Sequence, residues 1–213
     1  MKNNVTELVF ILDKSGSMEG FEADTVGGFN ATIEKQKEED GTAYVSTVLF
    51  SNTAKVIHDR IDLHEVPKMT RREYRVGGCT ALLDAVGDAI RHVEGIHKYA
   101  RPEDVPAHTV FVITTDGMEN ASRNYSHAEI RKMIDEKTKK HGWEFVFLAA
   151  NIDATEAAES IGIRPERAAG YRQTKEGIDK SYCVMSEAIS AIRTCRTEKM
   201  NLSKYMEDAE NEK

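Results

Sequence analysis

A chain of 213 residues, 40% hydrophobic and 31% charged, can bury a core of its own without disulfide or metal staples, and its length suits one ordinary domain. The formal net charge of -7 argues against general nucleic-acid binding and against adhesion to an anionic membrane. No apolar run approaches a membrane span and the N-terminus lacks a leader-like apolar segment. Cys79, Cys183 and Cys195 show no C-x-x-C spacing, so neither a disulfide framework nor a zinc site is expected and the chain reads as cytoplasmic.

The first element is the apolar run Leu8-Val9-Phe10-Ile11-Leu12, a strand buried on both faces. It ends abruptly in Asp13-Lys14-Ser15-Gly16-Ser17. A carboxylate and two hydroxyls at alternate positions form a hard-oxygen set that suits a small divalent cation, although the same residues also make an ordinary Asx turn. Residues 21–37 carry Val26, Phe29 and Ile33 at helical spacing, and Gly41 ends that segment. Residues 43–50 alternate as a second strand, Ser51-Asn52 suits a two-residue turn, and residues 53–57 are expected to return as an antiparallel edge. Residues 60–78 then read as a polar loop containing Pro67 and ending in Gly77-Gly78.

Thr80 opens a helix marked by Leu83, Val86, Ile90 and Val93, and weakened by Gly95. Residues 109–115 are another apolar strand, ending in Asp116-Gly117. Ser126 and Glu129 form a capping box, with Tyr125 and Ile130 placed for a hydrophobic staple, and Gly142 stops the helix they begin. A buried strand over 143–150, a short helix over 153–161 and a weak edge strand over 167–171 follow. Thr174 caps a last helix bearing Tyr182, Met185, Ile189 and Ile192. The domain is read as residues 1–196. Residues 197–213 are read as a charged C-terminal extension, partly disordered, because the apolar stripe fades there. Alternating strands and helices predict an α/β doubly wound sheet with helices on both faces.

Asp13-x-Ser15-x-Ser17, Thr80 after a Gly pair, and Asp116 at the end of a second strand together resemble the von Willebrand factor A (vWA) family with its metal-ion-dependent adhesion site (MIDAS), and in particular stand-alone intracellular members of bacterial type. The resemblance implies a mostly parallel six-stranded, Rossmann-like sheet of order 3-2-1-4-5-6 with an antiparallel third strand. It implies a metal site of Asp13, Ser15, Ser17, Thr80 and Asp116, loaded with Mg²⁺ or Mn²⁺. Ser15 and Ser17 would be direct ligands, Thr80 or Asp116 an exchangeable one, and Asp13 would act through water. The implied partner is a protein that presents a Glu or Asp carboxylate, with neither nucleic acid nor membrane involved. No catalysis is expected. Two other readings stay open: a Mg²⁺-dependent phosphatase or other hydrolase, and a scaffold with a purely structural metal. The first is opposed by Ser15, which stands where such enzymes carry a second carboxylate, and by the lack of a nucleotide-binding P-loop motif. Around the site, Glu119 and Asn120 are candidates to brace the loop, and Lys68, Arg71, Arg72, Arg75 and Arg123 to form a basic rim. Cys79 reads as packing.

Overall fold

In β1 (Val5–Asp13) every residue from Thr6 onward is buried, which is the state expected of a central strand covered on both faces. The computed structural model describes residues 4–195 and 200–211. Alternation along β1 sends Leu8, Phe10 and Leu12 into one core cluster and Val9 and Ile11 into the other. The first cluster lies against α1 (Glu22–Lys37) and α5 (Lys175–Arg193), the second against α2 (Leu82–Tyr99) and α3 (His127–His141). The remaining strands are β2 (Thr42–Phe50), β3 (Ala54–Asp62), β4 (His108–Thr115), β5 (Glu144–Ala149) and β6 (Ala168–Gly170), with α4 (Ala154–Ser160) before β6. Their order is β3-β2-β1-β4-β5-β6, and only the β2–β3 pairing is antiparallel. This is the expected six-stranded α/β architecture, and its order reverses between β1 and β4.

The helix signals act as the sequence implies. Ser126 Oγ accepts from Glu129 N at 3.3 Å while Glu129 Oε2 accepts from Ser126 N at 2.8 Å. Thr174 Oγ1 accepts from Gly177 N at 3.1 Å. Gly95 does not interrupt α2, which continues to Tyr99.

Three segments differ from expectation. β3 runs five residues beyond the predicted end, because irregularities between Val45 and Val48 break the pairing pattern and allow it to resume. Arg60 takes a left-handed φ of 53° there. Its N–H donates to Ser46 Oγ at 3.1 Å, and its Nε reaches both oxygens of the fully buried Glu7 at 3.1 Å. The supposed polar loop that follows places Leu63, Val66, Met69 and Tyr74 in the core. Their irregular spacing matches neither the strand nor the helix period, so no periodic signal marks them. In the C-terminal extension, α6 (Leu202–Asn211) buries Leu202 and Met206, with Met200 just before it. Ser203 Oγ donates to Ala168 O at 3.1 Å, joining α6 to β6. Residues 197–199, 212 and 213 of that extension lie outside the described residues.

The α1–α5 contact is close enough to require Gly28, where an added Cβ would lie 2.3 Å from the ring of buried Tyr182. Ala normally gains up to about 1 kcal/mol over Gly inside a helix. Here overpacking should win, and Gly28→Ala should destabilise the fold by about 1–3 kcal/mol in urea denaturation.

Candidate metal centre

The reversal of strand order sets the carboxyl ends of β1 and β4 side by side, the place where open α/β sheets bind ligands. β1 delivers Asp13, and the chain then turns through a 3₁₀ segment, Gly16–Met18. Asp116 directly follows β4. Asp13 and Asp116 are each 1% exposed, Ser15 and Thr80 are also buried, and Ser17 is exposed.

Neutral donors hold these carboxylates. Asp13 Oδ1 accepts from Ser15 N at 2.7 Å and Oδ2 from Thr115 Oγ1 at 2.7 Å. Asp116 Oδ1 accepts from Ser17 Oγ at 2.7 Å and, more weakly, from Ser15 Oγ at 3.5 Å, while the two serine hydroxyls stand 3.1 Å apart. On its other side, Asp116 Oδ2 accepts from Gln173 Nε2 at 2.6 Å. Burial holds the Asp13 carboxyl above the usual range. The hydrogen bonds from Thr115 and Ser15 oppose that shift, and the nearby Asp116 charge adds to it.

Thr80 is brought in by two loops. Gly16 N donates to Gly78 O and Gly77 N to Lys14 O, both at 2.9 Å, so the Gly pair is laced to the Asp13 loop. Gly78 has a φ of 87°, and a Cβ there would meet Asn52 Oδ1 at 2.8 Å. That same oxygen accepts from Cys79 N at 2.5 Å. Thr80 N donates to Asn120 Oδ1 at 2.9 Å, and Asn120 N returns a bond to Thr80 O at 3.1 Å. Glu119 takes Leu83 N, Ala121 N and Ser122 N at 2.7–2.9 Å. Both residues thus brace the loop. A Cβ on Gly117 would lie 3.7 Å from Ser17 Oγ and 3.8 Å from Thr80 Oγ1, so a single small cradle faces both hydroxyls.

All five predicted residues are therefore gathered at one end of the sheet. The basic residues Lys68, Arg71, Arg72, Arg75 and Arg123 are all exposed, and Cys79 is exposed rather than packed. Sequence reasoning missed Thr115, Gln173 and Asn151, and also Tyr74 and Tyr171, whose hydroxyls donate to the carbonyls of Asp13 and Thr115. Thr115 adjoins Asp116 in the chain and so was open to detection; Gln173 carries no motif.

The donor set suits a small hard cation. Adjacent ligands in an octahedron with bonds of 2.0–2.1 Å stand about 2.9 Å apart. The Ser15, Ser17 and Asp116 oxygens, at 2.7, 3.1 and 3.5 Å, bracket that separation. Among the described residues no group of three or more His, Cys, Asp or Glu forms a softer or more highly charged alternative.

A doubly wound sheet with an oxygen-lined crevice at its switch point is the class of protein defined so far. The sequence model of the von Willebrand factor type A domain matches residues 7–180, and the chain belongs to that family. Solved structures agree in fold. A von Willebrand factor type A protein from Catenulispora acidiphila superposes with a TM-score of 0.55 at 12% identity, over 85% of this chain and 42% of that one. Proximal thread matrix protein 1 from the mussel byssus gives 0.60 at 14%, over 91% and 48%. A further structure of that mussel protein, described as having a zinc-occupied MIDAS motif, gives 0.59 at 14%, over 91% and 47%. The chain thus spans less than half the length of these relatives, and at such identities the likeness is one of fold. No curated protein sequence matches.

The raised Asp13 carboxyl fixes a pH dependence. Its folded pKa lies above the unfolded value of about 3.9, so the native state binds the proton more tightly. The resulting penalty is absent below that value and grows as pH rises through the folded pKa. In chelator, Asp13→Asn should therefore gain stability relative to wild type as pH rises from about 4 through that window. Thermal denaturation of both proteins across that range checks it; a constant difference would show that ionisation of Asp13 costs nothing.

Proposed function

We propose that the chain is a divalent-metal-dependent protein-binding module whose MIDAS captures an acidic side chain of a partner protein. The observation that carries this reading is the convergence of two serine hydroxyls on Asp116 beside a second buried carboxylate, with Ser17 open to solvent. Ser15 and Ser17 would hold the ion directly, Asp13 would act through water, and Thr80 and Asp116 would alternate at one further position. When bound, the ion supplies Lewis acidity toward an incoming carboxylate. An all-oxygen set favours Mg²⁺ or Mn²⁺ over zinc, the metal named for the mussel protein.

The chain's own residues support capture rather than turnover. Both Asp13 oxygens are occupied by Ser15 N and Thr115 Oγ1, and Ser15 stands where a hydrolase would need a second acid. The neutrality of the remaining donors leaves the ion attractive to an outside anion. No described helix is long and apolar enough to cross a membrane.

Mg²⁺ or Mn²⁺ should stabilise the protein, because it relieves repulsion between two carboxylates and binds only the folded site. At a hundredfold excess over Kd, mass action supplies about 2.7 kcal/mol, a melting shift on the order of 5–10 °C. Asp13→Ala should show no such shift, and equal shifts in both proteins would remove the site.

Thr80→Ala separates metal holding from capture. Asp116 can replace the lost hydroxyl, so calorimetry should find Mg²⁺ binding largely kept. Direct Asp116 coordination would quench the ion's demand for an anion, so chelator-sensitive capture of the protein partner should weaken sharply. Capture at wild-type strength by Thr80→Ala would refute the exchange. Phosphoester hydrolysis lost in Ser15→Ala would refute the binding-only reading.

A further inference from the structure

The outer oxygen of Asp116 is not left to solvent. Gln173, in the loop between β6 and α5, donates through Nε2 to Asp116 Oδ2 at 2.6 Å and to Ser17 O at 2.8 Å. A carboxylate and a carbonyl can only accept, so the carboxamide nitrogen must face them. Its oxygen points the other way and accepts from Asn151 Nδ2 at 2.5 Å. Asn151 also donates to Asp116 O at 3.2 Å, from a left-handed backbone with φ 58°. Two neutral amides in series thus tie the Asp116 loop to the Ser17 turn and to the start of α5.

We propose that Gln173, oriented by Asn151, is a positioning residue that restricts Asp116 to a single ligating oxygen and thereby sets which ion the site accepts. The inference rests on the metal-binding reading above. With Oδ2 held by the amide, only Oδ1 faces the serine hydroxyls. A carboxylate giving one oxygen suits Mg²⁺, which demands a small octahedron. Ca²⁺ takes six to eight oxygens at longer distance and favours carboxylates that give both. A neutral donor achieves this restriction without adding a cation that would repel the metal, and without a third carboxylate that would satisfy it. Gln173 is half-buried, at the rim rather than the floor, so its loss leaves the core intact.

The test is calorimetric titration of the whole chain with Mg²⁺ and, separately, with Ca²⁺. Wild type should prefer Mg²⁺. In Gln173→Ala the ratio of the two dissociation constants should move toward Ca²⁺ by about tenfold or more, the lower end of what partners of metal ligands usually control. Asn151→Gly, which keeps the left-handed backbone and removes the amide, should move the ratio the same way by less. A merely structural brace would weaken both ions in parallel. Parallel weakening, or an unchanged ratio, overturns the assignment while leaving the metal site standing. A wild-type protein that binds neither ion overturns both. Should Gln173→Ala fail to fold, Gln173→Met keeps the bulk without the donor and makes the same comparison.

Discussion

The structure depends on a register that places two like charges together. β1 and β4 run parallel with Leu12 opposite Thr114, which sets Asp13 level with Thr115 and Asp116 just beyond. Thr115 Oγ1 then reaches Asp13 Oδ2 across the strands. A slip of one residue would turn Thr115 and the alternating core residues of β4 to the wrong face. The apolar pattern that fills both cores is thus also what aims the carboxylates, and fold and site cannot be varied independently here.

The same strand carries a second buried carboxylate whose treatment is instructive. Glu7, near the start of β1, is fully buried and receives Arg60 through both oxygens and His97 at 3.0 Å. A structural carboxylate is matched by a cation, as burial of charge requires. At the other end of β1, every partner found for Asp13 and Asp116 is a neutral hydroxyl, amide or backbone N–H. Even Lys14, next in sequence to Asp13, turns its ammonium to Ser51 Oγ at 3.1 Å. Nothing among these partners cancels the charge. It is organised and kept, which is the condition a cation site needs and an ion-paired core does not.

Much of this was legible in the sequence because local rules and tertiary demands agree. The strand order followed from the family resemblance, while β1, β4 and β5 were marked by unbroken apolar runs. The five site residues sit at element ends, where short motifs are informative. Legibility failed where contacts are set by bulges or by single side chains from distant segments. Arg60 was assigned to a loop because an irregular β2 edge hides the continuation of β3. Tyr74 lies in the stretch read as a polar loop, yet its hydroxyl donates to the carbonyl of Asp13, 61 residues away in the chain. Gln173 lies 57 residues from Asp116, and a lone Gln in a polar loop has no spacing from which a partner can be inferred.

Affinity and selectivity have different sources in such a site. On the proposed reading, an ion held at this site would supply attraction for an incoming acid, but it would do so for any accessible Glu or Asp. Discrimination must come from the surface around it, through repulsion as well as contact. That surface is uneven: Glu19 follows the Ser17 turn, Arg71, Arg72 and Arg75 lead into the Gly pair, and Met118, 72% exposed, flanks Gly117. These exposed positions do not hold the fold together, so they are free to change while the ligand cage stays fixed. On the proposed reading, a rigid charged floor would supply the attraction and the exposed rim around it the choice of partner.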